Sequence, residues 1–126
     1  MEKFQANFPM ALDESGRRLF VGCRRPARLV VLDTNTGKPV AVVPISSDTD
    51  DLFFDAARKQ LYLSCGEGFI DIIAQRDADK YELKETITTR AGARTGYFSP
   101  ALSQFYLAVP QRGNQAAELR VFETRN

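Results

Sequence analysis

One phrase occurs three times in this chain. "ALDESGRRLFVG" at 11–22 returns as "FFDAARKQLYLS" at 53–64 and as "YFSPALSQFYLA" at 97–108. Aligned on Leu19, Leu61 and Phe105, the copies stand 42 and 44 residues apart. A period of this length, built from short alternating strands, predicts an all-β chain of β-propeller blades, each a four-stranded antiparallel sheet. The repeat constrains architecture strongly and function hardly at all, because propellers host many unrelated activities.

Each copy reads as strands a to d, from the axis outward. The first blade spans about 8–45, with strands at 9–13, 18–23, 29–33 and 39–45. Its turns carry Asp13 and Asp33 at their starts, and Gly16 is placed to take positive φ. Pro39 and Pro44 suit an outer edge strand, which gives up no ladder donor there. The second blade spans about 51–87, with strands at 52–55, 61–65, 69–75 and 81–87. The third spans about 95–124, with strands at 95–99, 105–109 and 119–124 and no outer strand. Residues 2–7 precede the first inner strand, where the outer strand of a preceding blade belongs, and are expected to complete a blade. Pairing the two ends of the chain in one sheet would remove exposed edges.

Three blades fall below the usual range of about four to eight. Apolar faces on the end blades would meet water. The chain is therefore expected to be part of a longer propeller, or to self-associate into a closed ring such as a six-bladed homodimer, or to join another partner.

Composition narrows the function classes. The net charge is +1, so no global field favours nucleic acid or a membrane surface. No apolar run approaches the roughly 20 residues that span a bilayer. The opening "MEKFQANFPM" lacks the apolar centre of a secretion signal, which suggests the cytoplasm or a missing front segment. With no histidine, a Ser-His-Asp triad, a Cys–His pair and the common zinc sites lack a member. No catalytic residue, metal site or cofactor is assigned. Cys23 and Cys65 end equivalent strands of neighbouring copies, too far apart for a disulfide, and are read as buried thiols.

The segments "D-x-x-G-R-x-L-F-V" and "V-V-L-D-T-x-T-G-K" of the first copy resemble the repeat of the YVTN-type propellers, the surface-layer-like and lactonase-like group. The ending "YLAVPQRGNQAAELRVFE" is similar to a last blade of such proteins. The second and third copies depart from the pattern, since "DIIAQRDADK" lacks the Asp-Thr-x-Thr-Gly turn. The resemblance implies a WD40-like propeller, often periplasmic or secreted. For function it implies a scaffold or binding module, with a lactonase-like hydrolase or a fragment of one as the alternative.

In propellers, ligands usually meet the face formed by the d–a and b–c loops. Here those loops hold Arg24, Arg25, Arg28, Arg90, Arg94 and Arg112, six of twelve arginines, together with Asp48, Asp50, Asp51 and Glu67. The guanidinium fork suits carboxylates and phosphates, so this rim could take a small anion or an acidic loop of a protein partner. The same charges could equally pair with one another. The run Asp48, Asp50, Asp51 lacks the spacing and glycine of a calcium loop. Gly92 and Gly96 lack the Lys-Ser/Thr of a phosphate loop. Phe8, Phe53, Phe54, Tyr62, Phe69, Phe98, Phe105 and Tyr106 fall on strands and are expected to pack between blades rather than stack on bases.

Overall fold

Short alternating segments separated by turn residues leave this chain one way to satisfy its backbone, as antiparallel ladders. The computed structural model describes residues 5–125, with side chains from residue 9 onward. Eleven strands and no helix make up the described residues. Strands β1 (Gln5–Asp13), β2 (Arg18–Arg25), β3 (Ala27–Asp33) and β4 (Pro39–Pro44) form one antiparallel sheet in that order. Strands β5 (Thr49–Asp55), β6 (Gln60–Cys65), β7 (Phe69–Asp77) and β8 (Lys80–Thr88) form a second. Strands β9 (Thr95–Ser99), β10 (Gln104–Val109) and β11 (Glu118–Glu123) form a third, with β11 at its outer edge.

The sheets stack as blades because the second strand of each, β2, β6 and β10, carries apolar side chains on both faces. In β6, Leu61, Leu63 and Cys65 pack with Phe20, Leu29 and Val31 of the first blade. Tyr62, between them, packs with Phe98, Phe105 and Leu107 of the third. Full burial of a side chain of this size contributes about 1.5–3 kcal/mol, so these two interfaces hold the stack together. The aligned positions follow the same rule. Leu61 and Phe105 face the preceding blade, while Leu19 occupies that place on the first sheet, where no other sheet of the described residues covers it, and is only half-buried. Inner strands β1 and β5 approach one another more closely than outer strands β4 and β8, so the sheets fan outward.

The outcome on both end faces is as the sequence predicts. Met10, Leu12 and Val42 lie exposed on the first blade, and Tyr97, Leu119 and Val121 on the third. Cys23 and Cys65 are free and buried.

Two details differ from expectation. Gln5 and Asn7 pair with Arg25 and Cys23, so residues 5–7 open the inner strand β1 instead of forming an outer strand. The bulge at Pro9 lets the ladder run past the proline. Residues 2–4 lie outside the described residues. In the first turn, positive φ falls on Arg17 (57°), not Gly16. Lys59 (55°) and Ser103 (53°) hold the same place in the other copies. A Cβ at position 16 would fall on the Asp13 carboxylate, which accepts the Gly16 N–H at 3.1 Å. The second copy has Arg58 at this place, with the same N–H bond to Asp55 at 3.2 Å, so glycine here spares the Asp13 side chain a shift and supplies no φ.

Candidate functional site

The b–c and d–a loops gather at one end of the stack, and backbone hydrogen bonds stitch them together. Gly66 N–H donates to Asp48 C=O at 2.7 Å, and Gly92 N–H donates to Gly66 C=O at 2.7 Å. The short loop 66–68 thus lies between loop 45–48 and loop 89–94. A Cβ on Gly66 would strike the Asp48 carboxylate and come within 2.8 Å of Arg94 Nε. This glycine makes room for an ion pair.

Asp48, held at φ 62°, is the hub of the charges. Arg94 Nη2 reaches Asp48 Oδ2 at 2.6 Å, and Arg24 Nη2 lies 3.6 Å from Asp48 Oδ1 and 3.2 Å from Asp50 Oδ1. Arg24 Nε also donates to Thr49 C=O at 3.0 Å. A bulge at Asp50 interrupts the register of β5 between Thr49 and Asp51. Arg90 pairs with Glu118 at 3.2 Å. The structure therefore brings Arg24, Asp48, Asp50 and Arg94 into one network and places Arg90 in a separate pair. Arg28 donates to Ala27 C=O at 2.8 Å and Arg112 to Ala91 C=O at 2.9 Å. Arg25 is exposed. Among the described residues, no carboxylate stands within ion-pair distance of Arg25, Arg28 or Arg112.

Asp51 points the other way and accepts the Gly96 N–H at 2.7 Å, tying the second blade to the third. Burial pushes its carboxyl pKa up, the Gly96 hydrogen bond opposes this, and Asp50 nearby adds to the rise. Glu67 accepts the Ser47 N–H at 2.8 Å.

Two buried polar clusters escaped the sequence reading. Asp71, fully buried in β7, accepts the Ser46 N–H at 2.6 Å, the Ser46 hydroxyl at 2.8 Å and the Thr86 hydroxyl at 3.2 Å. It pins the loop between the first two blades to the second. A lone carboxylate inside "FIDIIA" is the signal that could have found it. At the opposite end of the stack, Tyr62 donates to buried Asp55 at 2.6 Å, and Arg58 reaches Asp55 at 3.3 Å and Ser103 Oγ at 3.2 Å. Among the aromatics, Tyr62, Phe98 and Phe105 meet edge to face with centroids 5.1 and 5.9 Å apart. The side chain of Phe8 lies outside those described.

No family model and no curated protein sequence matches the chain. Solved structures do. Hydrazine synthase of Kuenenia stuttgartiensis aligns with a TM-score of 0.80 at 16% identity, over 93% of this chain and 34% of that one. A proposed 6-phosphogluconolactonase of Bacteroides uniformis aligns at 0.73 and 18% identity, over 94% and 37%. The β-propeller domain of Cps50 (Swd1) from Myceliophteria thermophila aligns at 0.65 and 18% identity, over 93% and 41%. The chain spans about a third of the length of these structures. At such identities the likeness concerns architecture alone, and that architecture is the β-propeller.

Proposed function

We propose that this chain is a non-enzymatic β-propeller binding module that supplies three blades to a larger ring. The observation that carries the reading is the pair of apolar end faces, with Met10 at 66% and Tyr97 at 62% exposure on opposite sides of the stack. A propeller blade ordinarily buries both faces against its neighbours. The Cps50 domain gives the scale. Nearly all of three blades match 41% of it, which corresponds to a ring of about seven blades. The repeat's resemblance to the YVTN-type propellers supports the same scaffold role.

The loop face is the binding surface in this reading. Arg24, Arg90 and Arg94 already hold carboxylates of the chain itself, which leaves Arg25, Arg28 and Arg112 for an incoming anion or acidic loop. The engagement of Asp48, Asp50 and Asp51 by arginines or backbone amide supports binding over turnover.

Light scattering tests the end faces. The 14.1 kDa chain should associate as its concentration rises, and charges placed by Leu12→Lys and Leu119→Lys should return it to the monomer. A stable species at twice 14.1 kDa would favour a two-chain ring over a longer one. A wild-type monomer at every concentration would overturn the open-ended stack.

A further inference from the structure

The turn after the inner strand is equipped differently in the three repeats. In the second blade Asp55, only 2% exposed, accepts the Arg58 backbone N–H at 3.2 Å and pairs with the Arg58 guanidinium at 3.3 Å. That guanidinium also reaches Ser103 Oγ of the third blade at 3.2 Å. In the third copy the aligned residues are Ser99 and Leu102, so acid and base are both missing. In the first copy the acid stands without the base. Asp13 is 8% exposed, and Gly16 occupies the place of Arg58. Asp13 Oδ1 accepts the Gly16 N–H at 3.1 Å and the Ser15 hydroxyl at 3.3 Å, and Oδ2 accepts a Gln75 Nε2–H at 3.1 Å. A carboxylate offers about four lone-pair sites, so these donors leave Oδ2 with capacity to spare. Among the described residues no cation stands within ion-pair distance of Asp13. Buried charges are ordinarily paired.

The space an arginine would fill is hollow. A cavity of about 240 Å³ lies between the first and second blades, at the end of the stack opposite the loop face. Asp13, Gly16, Phe54, Lys59, Gln75 and Asp77 line it. Both sheets that enclose it are four-stranded. Its charges are two carboxylates against one ammonium, that of Lys59, which is exposed. Lys59 aligns with Ser103, the residue that receives Arg58 in the next gap, and the two share a backbone conformation at φ 55° and 53°. Phe54 gives the cavity an aromatic wall, a surface on which a guanidinium plane stacks.

We propose that this cavity is a guanidinium-binding site, in which an arginine-like group from outside the chain takes the place that Arg58 fills one blade further on. The repeat defines the chemistry. The planar fork donates to Asp13 Oδ2 as Arg58 donates to Asp55 Oδ2, with Phe54 beside it. A free guanidine compound and an arginine side chain of a partner polypeptide offer the same group. This site goes beyond the anion-binding loop face, since it lies at the other end of the stack and selects the opposite charge.

The test titrates the intact chain with methylguanidinium and with N-acetylarginine amide, followed by amide NMR. The Gly16 N–H and the Gln75 side-chain amide, both bonded to Asp13, are the direct reporters. Saturable shifts there are expected, with a dissociation constant of about 1 mM for so small a ligand. Tighter binding of N-acetylarginine amide would identify an arginine of a polypeptide as the occupant, and tighter binding of methylguanidinium a free guanidine compound. Methylammonium, a charge without the fork, should bind about tenfold more weakly. Asp13→Asn keeps an acceptor in the turn and removes the charge, and should weaken binding about tenfold or more. Lys59→Ser installs the hydroxyl of the third copy and should tighten it. Gly16→Arg should fill the site from within, raising the melting temperature and abolishing the shifts. Failure of the wild type to saturate, undiminished binding by Asp13→Asn, or equal binding of methylammonium would overturn the site.

Discussion

The Tyr62 hydroxyl offers a clean perturbation. Tyr62 is 3% exposed and its O–H donates to Asp55, itself 2% exposed, across 2.6 Å. The other donors to that carboxylate, Arg58 N–H at 3.2 Å and Arg58 Nη1 at 3.3 Å, are longer. Tyr62→Phe keeps the ring against Phe98 and Phe105 and removes the shortest donor to a buried charge. A hydrogen bond to a charged group contributes about 1.5–3 kcal/mol, so a loss of about 2 kcal/mol is expected. With an unfolding entropy of about 2.1 cal/mol/K per residue, that is a fall of about 8 °C in melting temperature. The pH dependence adds a signature. Burial, then the hydrogen bond and charge of Asp55, push the Tyr62 pKa above its ordinary 10. A raised folded pKa means the stabilisation is complete below about 10 and is lost as pH climbs further. The gap between wild type and Tyr62→Phe should therefore stay level from neutral pH to about 9 and narrow above 10. Calorimetry across that range measures it. A variant within about 0.5 kcal/mol of wild type, the usual span of an inconsequential substitution, would refute the assignment of Tyr62 as the principal partner of Asp55.

Two further outcomes are expected. Burial, followed by the charge of Asp71, pushes the Cys65 thiol up to about 12 from 9.0, so its contribution is intact below 9 and declines toward 12. Cys65→Val, which borrows the Val109 of the third repeat, should fold and show a shallower loss of stability between pH 9 and 11 in urea titrations. Lys59 is exposed at φ 55°, where side chains other than glycine are strained. Lys59→Gly should raise stability by about 0.5–1 kcal/mol, and a decrease measured by chemical denaturation would contradict the turn geometry.

The blades were legible because Leu19, Leu61 and Phe105 mark one register and their neighbours Phe20, Tyr62 and Tyr106 the other. That two-faced alternation is a local property of the strand, so it survives in sequence. The starts of β1 and β5 were not legible, because bulges at Pro9 and Asp50 break the alternation that reveals a strand. The arginines of the loop face could be gathered from their loops but not paired. Arg24, Asp48 and Arg94 are joined only once loops from three blades are stacked. Asp71 was hidden by its partners, since Ser46 and Thr86 belong to other segments. The cavity beside Asp13 is a matter of volume between two sheets, which no single strand encodes.

The two bare faces of the stack are different surfaces, so a copy that adds to one presents the other anew. Growth of that kind stops only if whole copies sum to a full turn. A mismatch in the angle per copy would leave the process without a terminus. The same geometry that invites a ring would then spin fibres, and the protein's solubility would hinge on whatever caps its ends.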